Sequence, residues 1–145
     1  MIQTFSGCDG DVAGWVQAHI PGCLPFDEKV RTLGILRDGQ LIAGVVYSEF
    51  RGHQVEGSMA STDPRWATRP VLYNIFAYPF VICKVRRFQV TVSRRNKHTR
   101  RFVERLGFVY CGKGRKAMPD GSDACVYDML PWEAERWLNW RKTDE

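Results

Sequence analysis

Apolar and polar positions follow two rhythms along the chain, and the switches between them lay out the elements. The opening "MIQTFS" fits a short strand. In "DVAGWVQAHI" the positions Val12, Trp15, Val16 and His19 or Ile20 recur at three- and four-residue spacing, which predicts a helix that "PG" then stops. Beyond "CLPFDEKV" the period falls to that of strands. "TLGIL" and "QLIAGVVYSEF" flank Arg37, Asp38 and Gly39, a hairpin turn whose Asp and Gly accept positive φ, and Arg51 with Gly52 turns the chain into a third strand, "HQVEGSMAS".

A helical face returns at Val71, Leu72, Ile75 and Phe76, with Pro70 in the first turn, Thr68 as candidate cap and Pro79 as the expected stop. "RRFQVTVS" alternates again at Phe88, Val90 and Val92. Asn96 to Leu106 then predicts a helix burying Phe102, Val103 and Leu106 and ending at Gly107. "FVYCG" and "ACVYDML" are two closing strands around the turn "MPDGSD". "PWEAERWLNW" is a terminal helix with Trp132, Glu135 or Arg136, and Leu138 to Trp140 setting its faces. The order strand, helix, three-strand meander, helix, strand, helix, hairpin, helix is that of an α/β (α+β) domain, a mixed sheet with helices on its faces. The passage from the meander's last strand through a helix to "RRFQVTVS" makes a right-handed parallel unit, and a ligand crevice is expected beyond the carboxyl ends of those strands.

Composition narrows the class. A chain of 145 residues with 44% hydrophobic and 12% aromatic residues builds one core, so residues 1–145 form a single domain. The five cysteines, Cys8, Cys23, Cys83, Cys111 and Cys125, are scattered without a C-x-x-C pair, and His19, His53 and His98 lie far apart. Neither a disulfide framework nor a metal site is expected, and Cys111 and Cys125 read as small apolar core residues. No apolar run approaches the length of a membrane span and no leader pattern opens the chain, so a soluble, cytoplasmic protein is expected. The net charge of +5 is concentrated between Lys84 and Lys116, a surface that attracts polyanions. Nucleic acid is the less favoured of these, because no groove-reading motif accompanies the basic residues.

The segment "STDPRWATRPVLYNIFAYPF" carries the candidate chemistry. Between a strand end and a helix N-terminus, free backbone amides and the helix dipole stabilise a diphosphate. Arg65 and Arg69 add forked cationic donors, Thr68 a hydroxyl and Trp66 a flat apolar surface. An ordinary capped helix with solvent-facing arginines explains the same residues on geometry alone.

The run "NKHTRRFVERLGF" resembles the N-x-x-[AS]-x-x-[LF]-x-[EK]-[KR]-L-G-F signature of the GNAT superfamily of N-acetyltransferases, with Thr99 at the small-residue position. "ILRDGQLIAGVVY" is similar to that family's hairpin, and "GFVYCGKGRKAMPDGSDACVYDML" to its closing strands. "RGHQVEGSMASTDPRWATRPVLYNIFAYPF" resembles short members from proteobacterial and phage genomes that carry an R-W-x-T-R loop. The resemblance implies a GNAT-like, mostly antiparallel sheet with helices on both faces, a splayed parallel strand pair, and acetyl-CoA as co-substrate in the opening. It implies that the backbone of Met59, Ala60 and Ser61 pairs with the pantetheine arm and polarises the thioester carbonyl. Arg65, Trp66, Ala67, Thr68 and Arg69 would surround the pyrophosphate, Asn96 would contact the cofactor, and Lys97 or Arg100 would meet the nucleotide phosphate.

Two positions depart from the family pattern. The loop has no glycine, and Val103 stands where a tyrosine acid is frequent, which leaves Tyr110, Tyr127 or water for that task. Direct attack of an amine needs a base, and Glu56, on the meander's last strand, is the first candidate, followed by His53 and Glu49. The resemblance implies an amine acceptor on a protein or a small molecule, and "CLPFDEKV" is the expected wall of its pocket. The alternative is a catalytically inactive GNAT-fold module inside a larger assembly such as a phage's. No membrane partner is expected, and oligomeric state is open.

Overall fold

The computed structural model describes residues 1–139. Among them, seven strands form one sheet: β1 (Ile2–Phe5), β2 (Arg31–Arg37), β3 (Gln40–Ser48), β4 (Gln54–Ser61), β5 (Arg87–Ser93), β6 (Val109–Gly114) and β7 (Ala124–Met129), in the order β1-β2-β3-β4-β5-β7-β6. Every neighbouring pair is antiparallel except β4 and β5. The β2–β3 hairpin turns on Asp38 and Gly39, both at positive φ (51° and 85°), the geometry that brings two strands back with matching twist. This is the mixed α/β sheet with one parallel pair that the pattern of periods predicts.

Helix α1 (Asp9–His19) lies on one face, packing Val12, Ala13 and Val16 with Phe26, Val30, Val46 and Ala60. The expected face is rotated: Ala13 is buried, Trp15 is half-buried, and His19 is exposed and stacks on the Trp15 ring at 3.9 Å between centroids. Helices α2 (Arg69–Ala77) and α3 (Lys97–Leu106) cover the other face over the larger core. Phe88 is its hub, fully buried with its ring 5.6–6.2 Å from those of Tyr47, Phe76, Phe80 and Phe108. Burying a side chain of that size contributes ~2–3 kcal/mol.

Three further expectations at the helices need correcting. Pro79 does not end α2, because the chain widens into a π turn over Tyr78–Ile82, where the Cys83 amide donates to the Tyr78 carbonyl at 2.9 Å. A proline breaks the i to i−4 ladder, and the wider turn carries the helix past that break. Asn96 caps α3 instead of opening it, its side-chain oxygen accepting from the Thr99 amide at 3.1 Å, and Phe102 is only half-buried. The closing segment is a 3-10 turn (Pro131–Ala134) followed by one turn of helix, α4 (Glu135–Leu138), with Trp132 exposed. Trp140 lies outside the described residues. Cys125 is buried as expected, whereas Cys111 is exposed on β6.

Candidate active site

The parallel pair determines the site. Strands β4 and β5 are joined only at Gln54–Arg87, Val55–Phe88 and Glu56–Gln89, although β4 runs on to Ser61 and β5 to Ser93. Beyond Glu56 each strand keeps its outer partner, β3 for β4 and β7 for β5, so the two separate into a wedge. Gly57 stands at its apex. A side chain there would bring its Cβ to 2.6 Å from the Phe88 ring, so the ring fills the base of the wedge only because position 57 is bare. From Gly57 to Ser61, alternate backbone N–H and C=O groups of β4 point away from β3 into the opening, where no β5 strand meets them. Met59, Ala60 and Ser61 lie along this edge.

Alternation of side chains gives the wedge two unlike walls. Val55 and Met59 face the large core beneath α2 and α3, while Ala60, and by alternation Glu56 and Ser58, face the α1 side. Glu56 is half-buried and accepts a hydrogen bond from the Thr91 hydroxyl of β5 at 3.3 Å. A cavity of about 190 Å³ beside it is lined by Glu49, Glu56, Gln89 and neighbours. Next to this, Arg87 donates to Asp128 at 2.9 Å and to Gln89 at 2.5 Å, so its charge is spent within the sheet face. His53 is exposed in the turn before β4, six residues and about 20 Å of extended chain from Met59. The structure therefore brings Glu56 to the wedge and leaves His53 at the opposite end of the strand.

At the top of β4 the chain enters the arginine loop. Asp63 organises it: its carboxylate accepts from the Arg65 amide at 2.9 Å and from the Arg37 guanidinium at 2.7 Å, and its carbonyl accepts from the Trp66 amide at 3.2 Å. The Arg65 amide, followed by the Arg37 side chain, holds the Asp63 carboxyl below its ordinary pKa. The Thr68 amide donates to the Trp66 carbonyl, and the Thr68 hydroxyl caps α2 by accepting from Val71 at 3.4 Å. Among the described residues, no intramolecular partner meets the amides of Ala67 and Arg69, so two donors remain at the helix N-terminus. The Arg65 side chain is 72% exposed and Arg69 is exposed as well. Trp66 differs from expectation: it is 6% exposed and packs its ring against Phe102 at 5.9 Å, anchoring the loop to α3 instead of offering a surface to a ligand.

The remaining candidates lie on α3, β6 and β7. Arg100 donates through Nε to the hydroxyl of the buried Tyr127 at 3.0 Å, and that hydroxyl donates to Glu104 at 3.4 Å, a network tying α3 to β7. Tyr110 is 48% exposed on β6, two strands beyond β5, its ring edge-on to Tyr127 at 5.7 Å. Lys97 is exposed at the start of α3. Asp63, Arg37 and Thr91 were not singled out from the sequence. The Asp-Pro pair, a frequent turn initiator, is a local signal for Asp63, but nothing near Arg37 announces a partner so far along the chain.

A second cavity of about 390 Å³ lies between α1 and the segment from Pro25 to Val30, beside the expected acceptor wall. The same connection reaches over to the β6–β7 turn, where Gly22 packs directly against Pro119.

No protein-family model and no curated protein matches the chain by sequence. Solved structures do match it. The spermidine/spermine N-acetyltransferase SpeG of Vibrio cholerae, in mutant form, aligns over 100% of both chains at 14% identity with a TM-score of 0.73. The same enzyme in complex with manganese ions aligns over 96% of both chains at 16% identity and a TM-score of 0.73. The ribosomal-protein-S5-alanine acetyltransferase of Vibrio fischeri aligns over 70% of this chain and 62% of its own at 16% identity and a TM-score of 0.59. The chain has the GNAT fold. Identities this low establish the fold alone. Among the described residues no group of three His, Cys, Asp or Glu side chains is placed to hold a metal ion, and no helix is long and apolar enough to cross a membrane.

Proposed function

We propose that this protein is an acyl-CoA-dependent N-acetyltransferase, moving acetyl from acetyl-CoA to a primary amine by direct attack. The observation that carries the reading is the wedge: three pairs join β4 to β5 and then a free strand edge runs straight into a loop with two open amides and two exposed arginines. An extended amide-bearing arm suits the edge of Gly57 to Ser61, because it completes a parallel ladder that the protein leaves half-made. A diphosphate suits the amides of Ala67 and Arg69 with the guanidinium groups of Arg65 and Arg69. Asn96, with its side-chain oxygen engaged in the cap, keeps its side-chain amide donors for the cofactor.

The two walls of the wedge divide the work. The donor enters on the side of α2 and α3, and the amine enters on the α1 side, where Glu56 takes the proton lost from the ammonium. The Thr91 hydroxyl fixes the orientation of that carboxylate. Backbone N–H groups at Met59 to Ser61 stabilise the oxyanion that forms as the amine attacks. Water protonates the departing thiolate, since Tyr110 lies two strands beyond β5, the Tyr127 hydroxyl donates to Glu104, and Val103 has no proton to give. The acceptor belongs to a protein or a small molecule in the cytoplasm, consistent with five unpaired cysteines. An inactive module within a larger assembly would need neither the open strand edge nor the exposed arginines, and no observation favours it.

Thiol release from acetyl-CoA, measured against a panel of amines that includes spermidine, spermine and alanine-terminated peptides, tests the reading. Wild type should turn over at least one amine, and Glu56→Gln should lower kcat/KM for it by about 10²–10⁴-fold at neutral pH. A Glu56→Gln variant as active as wild type would remove Glu56 from the mechanism.

A further inference from the structure

The arginine loop contains a charge arrangement that its own sequence does not explain. A carboxylate, Asp63, sits two residues before Arg65, in the loop assigned above to a diphosphate. Left alone it would repel that anion and pair with the nearest loop arginine. The structure shows which arginine holds it more closely. Arg37, at the end of β2, reaches Asp63 Oδ2 at 2.7 Å, well inside charge-assisted hydrogen-bond distance. Arg65 Nε makes only a longer ion pair with Asp63 Oδ1, at 3.6 Å and without a side-chain hydrogen bond, and its side chain is 72% exposed, against 32% for Arg37 and 16% for Asp63. The half-buried arginine thus holds the carboxylate by a hydrogen bond, and the exposed one is held only loosely.

We infer that Arg37 is a positioning residue for the diphosphate of the donor, neutralising Asp63 so that Arg65 remains available to the ligand. The inference rests on the proposed acetyl-CoA site and adds to it a residue that does not touch the ligand. Asp63 itself has a separate task. Its Oδ1 accepts the Arg65 amide in an Asx turn, which shapes a loop that contains no glycine. The loop keeps this turn-forming acid at the cost of a negative charge, and a cation 26 residues away in sequence offsets it.

The arrangement makes a prediction that a purely structural salt bridge does not. Removing Arg37 lets Asp63 tighten its hold on Arg65, so anion affinity falls although the side chain deleted does not itself touch the ligand. Removing the charge of Asp63 as well restores it, because asparagine still accepts the Arg65 amide but no longer holds the guanidinium.

Titration calorimetry on the full chain with acetyl-CoA, and with acetyl-pantetheine as a phosphate-free donor, separates the possibilities. Arg37→Ala, and Arg37→Gln as a bulkier replacement, should weaken acetyl-CoA binding on the order of tenfold, the loss of one charge-assisted contact. Arg37→Ala/Asp63→Asn should recover most of that loss, and Asp63→Asn alone should bind at least as tightly as wild type. Acetyl-pantetheine should bind every variant alike. The inference is overturned if Arg37→Ala and Arg37→Gln bind acetyl-CoA like wild type, if the double variant stays as weak as Arg37→Ala, or if acetyl-pantetheine weakens in parallel. Wild-type protein that binds no acetyl-CoA overturns the proposed function together with the inference.

Discussion

At the scale of single residues, side chains that share a type have been given different duties by their neighbours. Arg87 and Arg100 are absorbed by Asp128 with Gln89 and by Tyr127, whereas Arg65 and Arg69 face outward. Asn96 caps a helix in the structure and contacts the donor in the proposed site, and one substitution can separate the two. Its side-chain oxygen caps α3, and replacing a cap by alanine costs about 1 kcal/mol. Aspartate caps as well as asparagine but has no side-chain amide to donate. Asn96→Ala should therefore lose about that much stability in urea denaturation, while Asn96→Asp should keep its stability and still bind acetyl-CoA more weakly. Equal affinity in Asn96→Asp and wild type would limit Asn96 to the cap. Of the site residues, the place of Glu56 on the meander's last strand was legible from the alternating pattern, whereas the edge from Met59 to Ser61 was named only through the family resemblance. Trp66 was misread because solvent exposure in a loop depends on what packs above it, here Phe102 from an element more than thirty residues later.

At the scale of elements, the wedge exists because a parallel pair is begun and not continued. The switch from meander to helix to strand in the sequence makes β4 and β5 neighbours and parallel, so this much was legible from periodicity. Where they separate was not legible, since it depends on the Phe88 ring lying over Gly57. That ring is hemmed in by four other aromatic rings and cannot yield easily. Gly57→Ala should therefore overpack the apex and cost roughly 1–3 kcal/mol in chemical denaturation. A neutral Gly57→Ala would mean that the ring has room to move and that the apex is not set by this contact. The π turn escaped the sequence reading for a related reason. Proline signals that a regular ladder must break, but not whether the chain leaves the helix or widens through one turn, and in this chain Phe80, buried against Phe88, holds it on course.

At the scale of the whole molecule, two half-sheets meet at β4 and β5, with α1 over one face and α2 and α3 over the other. In the proposed reaction, a donor held by the arginine loop and an amine entering beside Glu56 would approach the same strand edge from opposite sides, the arrangement that direct transfer requires. The basic stretch from Lys84 to Lys116 lies in the half beyond β4, which suits an anionic donor on that side. The central claim is that this opening binds acetyl-CoA. A thermal melt with and without acetyl-CoA tests it most directly, run on wild type and on the Arg65→Ala/Arg69→Ala double variant. At about a hundred times the dissociation constant, bound ligand adds roughly 2.7 kcal/mol, enough to raise Tm by several degrees. The account predicts that shift in wild type and a much smaller one in the double variant at the same concentration. No shift in wild type at millimolar acetyl-CoA would contradict it.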